Sequence, residues 1–205
     1  MYYICWNDLP DALVKTNDEK IFIFKGKWFW ELEFDRSDLE LYVHKSENNP
    51  RKIADAWDKQ LPNDIELAFT IGSNGLPNRI HGHTMFLRRT KYYLFKNGKF
   101  VKKGNTTEWQ NFKTALDVGY VAAPLDSEIV HFYIKASDPM DIIANKEYVS
   151  YTFDDDEYPE RIANYEIVNQ EFPPEFQLSQ LKTLFPLTDD GVYLALFHFG
   201  SSETY

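Results

Sequence analysis

One cysteine in 205 residues excludes an internal disulfide and any multi-cysteine metal site, and that residue, Cys5, lacks a local signature for a nucleophile. No apolar run reaches the ~18 residues of a membrane-spanning helix, and the opening MYYICWND has neither a basic n-region nor a signal-length apolar stretch. The expectation is a cytoplasmic chain without a membrane partner, or an extracellular one if the sequence is a fragment of a secreted protein. Basic residues are scarce, 22 against 32 acidic, and the resulting net charge of −10 excludes nucleic acid as a partner and favours cations. No low-complexity stretch interrupts the chain, which argues against disorder.

Aromatic residues are abundant, at 17% of the chain within a hydrophobic fraction of 43%. Tyr, Phe and Trp suit pleated, half-buried surfaces, so the composition leans to β structure. A single domain over residues 1–205 is expected, built from repeats of roughly 60 residues. The first repeat has a buried strand at Asp11-Ala12-Leu13-Val14, a second at Ile21-Phe22-Ile23-Phe24 and a turn at Lys25-Gly26-Lys27. A third strand follows at Trp28 to Phe34. Pro50 leads a short helix that places Ile53, Ala56 and Trp57 at helical spacing.

The second repeat opens at Ile65 to Thr70 and continues through Thr84 to Leu87 and Lys91 to Phe95. Its hairpin turn is Asn97-Gly98, and Trp109 and Phe112 close it. The third is expected to start near Glu128 to Phe132, to continue at Asp141-Ile142-Ile143 and Tyr148 to Phe153, and to end in a helix from Pro159 to Asn169. The fourth begins near Gly191 to Phe197 and stops about two strands short.

Three segments together carry a family resemblance: Asp11-Ala12 with Phe22-Ile23-Phe24-Lys25-Gly26-Lys27-Trp28-Phe29-Trp30; Pro50-Arg51-Lys52-Ile53-Ala54-Asp55-Ala56-Trp57; and Leu61-Pro62-Asn63-Asp64-Ile65-Glu66-Leu67-Ala68-Phe69. Over residues 5–70 the pattern resembles the hemopexin repeat, and its first blade, with Cys5 just ahead of it, is also similar to the C-terminal hemopexin module of matrix metalloproteinases. The resemblance implies an all-β protein with short helices, a four-bladed β-propeller with an incomplete fourth blade. The blades would span residues 9–62, 63–123, 124–180 and 181–205, with closure by residues 1–6. In those modules a cysteine at the position of Cys5 bonds to one ending blade four, so here a contribution of roughly 2–4 kcal/mol is missing.

The resemblance further implies a central channel holding a calcium or sodium ion, and a module that recognises haem, a polyamine or another protein without chemistry of its own. Asp11 and Glu66 lead two inner strands and are the candidate channel ligands, or else cap strands toward solvent. His81 and His83, two residues apart, could present two imidazoles, although a turn-to-strand junction explains the spacing equally. His131 and His198, on the expected inner strands of blades three and four, are candidate haem ligands or core histidines. The acidic run Asp154 to Glu157 reads as a solvated turn or a cation-attracting patch. Trp28, Phe29, Trp30, Tyr92 and Tyr93 read mainly as core.

Three functions compete. The first is a free-standing, non-catalytic module binding haem, a polyamine or a protein, with a homodimer formed through an open strand edge. The second is a docking module excised from an extracellular metalloproteinase or matrix protein. The third is a hydrolase using Cys5.

Overall fold

The computed structural model describes residues 10–35, 37, 40–43, 49–72, 80–109, 112, 118–122, 129–134, 147–153, 159–166, 181–186 and 193–197. The first sheet contains β1 (Ala12–Lys15), β2 (Ile21–Lys25), β3 (Trp28–Asp35) and β4 (Glu40–Val43) in that order, with β5 (Arg51–Lys52) also on β3. The second contains β6 (Leu67–Thr70), β7 (Thr84–Arg88), β8 (Lys91–Lys96) and β9 (Lys99–Asn105). The third contains β10 (Val118–Ala122), β11 (Ile129–Ile134), β12 (Glu147–Thr152) and β13 (Glu160–Glu166); a fourth pairs β14 (Leu181–Pro186) with β15 (Tyr193–Phe197). All are antiparallel meanders, and among the described residues none closes on itself.

The first strands of the four sheets adjoin. β6 lies against β1, β10 against β6, and β14 against both β10 and β1. This central position explains the sequence pattern. In β1 and β6 every residue is buried, giving the short continuous runs ALVK and LAFT, whereas β9 alternates half-buried and exposed positions along its length. Burial therefore decreases outward across each of the first two sheets.

Between the first two sheets, Val14, Phe22, Phe24 and Phe29 pack against Phe86 and Phe95, with Ile53, Leu61 and Ile65 filling the joint. Between the second and third, Leu67, Phe69, Met85 and Leu94 meet Val130, Phe132, Tyr151 and Phe153. Each joint is wedged by a tryptophan from a short helical turn. Trp57 follows α1 (Ile53–Ala56), with ring centroids 5.2 Å from Phe86 and 5.5 Å from Phe22. Trp109 follows the 3-10 turn Thr106–Glu108, 5.5 Å from Tyr92 and 5.7 Å from Phe153. The same backbone bond anchors both turns: Ile53 N–H donates to Lys27, and Thr106 N–H to Thr90, in each case the carbonyl at the corner between the sheet's second and third strands.

Several expectations are corrected. A strand, β13, occupies residues 160–166 in place of the helix expected from Pro159, because β12 offers a full antiparallel partner and pairing overrides local preference. The third sheet opens at Val118, upstream of the expected boundary at 123/124, while the fourth opens at Leu181, the expected bound, ahead of the first strand expected there near Gly191. Each of the first three sheets has a fourth strand, of which β4 and β9 went unread. The segment Asp141-Ile142-Ile143, residues 1–6 and Tyr205 lie outside the described residues.

Candidate functional site

Asp11 and Glu66 serve one backbone purpose in successive sheets. The Asp11 carboxylate accepts the Gly26 N–H at 2.6 Å and the Lys25 ammonium at 3.1 Å, and Glu66 accepts the Arg89 N–H. Both acids thus clasp the hairpin corner beside their own strand. Among the described residues no three His, Cys, Asp or Glu side chains gather as a metal site, and these two carboxylates do not fit the six-to-eight-oxygen shell of calcium.

His81 and His83 are not brought together on one face. His81 is exposed and His83 is 5% exposed, with Nδ1 of His83 at 3.3 Å from the His81 carbonyl oxygen. Burial lowers the pKa of His83 below the ordinary histidine value. His131 sits on β11, the second strand of its sheet rather than the first, paired with Ala122 and Ser150. His198, Cys5 and the run Asp154 to Glu157 lie outside the described residues. Among the expected core aromatics, Phe29 and Tyr92 are buried, and Trp28, Trp30 and Tyr93 are half-buried.

The concave feature that reasoning from the sequence missed lies at the outer joint of the first two sheets. A cleft of about 240 Å³ has Phe22, Phe29 and Trp57 as its apolar lining, with Asn17, Asp18, Glu31 and Arg51 on one side and the Asn97-Gly98 hairpin tip on the other. Positive φ at Asn97 (50°) and Gly98 (74°) forms the tight turn that brings this tip in from the second sheet. Arg51 bonds Glu31 at 3.2 Å and lies 4.8 Å over the Phe29 ring, while Lys20 approaches Asp18 at 3.6 Å. Asn49 fixes the strand beneath, accepting the Glu31 N–H at 3.2 Å and donating to the Glu31 carbonyl at 2.9 Å.

Lys20 and Glu31 also line a shallower groove of about 570 Å³, which continues along β3 past Glu33 and Asp35 to Tyr42. Alternate residues of a strand share a face, so Glu31, Glu33 and Asp35 form a row of carboxylates spaced about 6.6 Å apart. The Ser37 hydroxyl and N–H donate to Asp35 and hold its pKa below the usual carboxylate value. No signal in the sequence marks these acids as convergent, because each alone reads as the solvated side of a strand.

No family model matches this chain, and no curated protein matches it. Among solved structures it is similar to a plant albumin from Cicer arietinum showing hemagglutination, at a TM-score of 0.54 and 13% identity over 77% of this chain and 66% of that one. A plant lectin with two metal binding sites, also from Cicer arietinum, aligns at a TM-score of 0.43 and 15% identity over 70% of this chain and 60% of that one, too low to carry an argument. The chain therefore spans about two thirds of the albumin's length, and the likeness establishes a shared all-β fold and nothing of activity.

Proposed function

We propose that the chain is a four-bladed, hemopexin-like β-propeller without chemistry of its own, which binds a linear polyamine in the Trp57 cleft and along β3. Four consecutive sheets whose first strands adjoin in a circuit support the propeller. The observation that carries the ligand is the continuity of an aromatic-lined cleft with a row of carboxylates through Glu31. Ammonium groups separated by three or four methylenes match the spacing of that row, and the methylenes match Phe22 and Trp57. Lys20 and Arg51 already set cationic groups against Asp18 and Glu31, the arrangement a ligand amine would adopt.

Haem is the weaker candidate. Neither His81 nor His83 lines the cleft, whose volume lies below the ~300–1,000 Å³ of ordinary cofactor sites. A channel cation, as the resemblance implies, would rest on backbone carbonyls of the first strands and not on Asp11 and Glu66.

Titration with spermidine, followed by tryptophan fluorescence and calorimetry, tests the reading. Saturable binding is expected, about tenfold weaker in Glu33→Gln/Asp35→Asn and weaker again for butylamine, which has one charge. Equal affinity of the double variant and the wild type would defeat it.

A further inference from the structure

Charge is strongly segregated along this acidic chain. Residues 67–107, which include the whole second sheet, contain eight basic residues and no acidic one; the segment carries +8 against −18 for the rest. Lys91, Lys96, Lys99 and Lys103 are exposed on the two outer strands of that sheet. Lys96 and Lys99 stand directly opposite each other across the hairpin, as do Arg88 and Lys91 at the other end of β8. Like charges in facing positions destabilise a sheet, so these pairs oppose folding unless something anionic is bound beside them. Within the chain, Arg88 has Asp64 at 3.6 Å and Lys103 has the neutral Gln60 at 3.3 Å.

Among the described residues β9 pairs only with β8, which leaves its outer edge open. Its exposed face is Lys99, Val101, Lys103 and Asn105, and Val101, at 47%, is the exposed large hydrophobic residue among those described. Lysines on an edge also deter aggregation, but the fourth strands of the first and third sheets, ELYV and ERIANYE, carry no lysine, and the short β5 beside ELYV carries one, Lys52. Three lysines with no acid among them are therefore particular to β9. Two copies of β9 would bring lysine against lysine, which disfavours self-pairing, and the third sheet alongside, whose residues 118–166 hold eleven acids against three basic residues, would repel a long polyanion that overran the patch. Lysine rather than arginine on the exposed face lacks the fork that suits phosphate.

We propose that the outer edge of β9 is a docking strand for an acidic, extended segment of another protein, which adds to the second sheet by main-chain hydrogen bonds and sets glutamate or aspartate against Lys99 and Lys103. The site is distinct from the groove on β3. The test is fluorescence anisotropy with a labelled peptide alternating glutamate and valine, together with its lysine-for-glutamate counterpart and a version N-methylated at alternate amides. The glutamate peptide binds, with affinity falling about tenfold or more between about 0.05 M and 0.5 M salt. The lysine and N-methylated peptides do not bind, and Lys99→Glu/Lys103→Glu, checked for native circular dichroism, loses the interaction; the milder Lys99→Gln/Lys103→Gln weakens it. Failure of the glutamate peptide to bind, equal binding of the N-methylated peptide, or stronger binding to heparin, anionic vesicles or a second copy of the chain would overturn the proposal.

Discussion

Arg89 holds in the second sheet the corner that Gly26 holds in the first. Their φ angles are 54° and 57°, and the amide of each donates to the acid that leads its sheet, Glu66 and Asp11 respectively. The left-handed region costs a residue bearing a Cβ about 1–2 kcal/mol and glycine almost nothing. Arg89→Gly should therefore stabilise the protein by about 0.5–1 kcal/mol, and Gly26→Ala should destabilise it by about 1 kcal/mol. The space around Gly26 is not the obstacle, since an added Cβ would first meet Asp64 at 3.8 Å. Urea midpoints of the two variants check the pair.

Asp11→Ala removes the acceptor for Gly26 N–H and the ion partner of Lys25, and a loss of about 1–2 kcal/mol is expected. If the carboxylate acts only through the Gly26 and Lys25 contacts, the loss should be the same in calcium and in EDTA. A calcium-dependent difference in the denaturation midpoint would show the carboxylate to be a ligand.

Trp109 is 2% exposed, and its indole Nε1 has no hydrogen-bond partner among the described residues. Trp109→Phe deletes that unsatisfied donor while keeping a ring among Tyr92, Phe132 and Phe153, so it should cost less than about 1.5 kcal/mol. Trp109→Ala empties the wedge between two sheets and should cost about 3–5 kcal/mol. Near-equal losses would mean that the indole N–H is satisfied.

Burial holds the His83 imidazole below its ordinary range, Lys96 and His81 add to the effect, and the His81 and Ile80 carbonyls act against it. The unfolded chain then binds the proton first. Stability contributed by His83 is complete above the unfolded pKa of about 6.5 and is lost as pH falls toward the lower folded value. His83→Leu should flatten the stability profile below pH about 6.5, as read from thermal midpoints across that range.

The inner half of the first two sheets was legible because burial on both sides leaves a continuous apolar run, as in ALVK and IFIFK, and because Asn97-Gly98 encodes its turn locally. Outer strands were not: ELYV is short, KFVKKGN is half lysine and glycine, and ERIANYE follows a proline as a helix might. What makes each a strand is a neighbour supplied by the fold. The cleft was hidden for the same reason, since Asn97 and Trp57 line it from two different sheets. Charge segregation was present in the sequence throughout, but a single net value of −10 conceals a second sheet with no acid in it.

The most direct test of the account is a crystal structure of the chain with spermidine. The account predicts β1, β6, β10 and β14 around one axis, with the ligand on Trp57 and its amines beside Glu31, Glu33 and Asp35. Sheets splayed away from a common axis, or spermidine bound elsewhere with the β3 groove filled only by solvent, would contradict it.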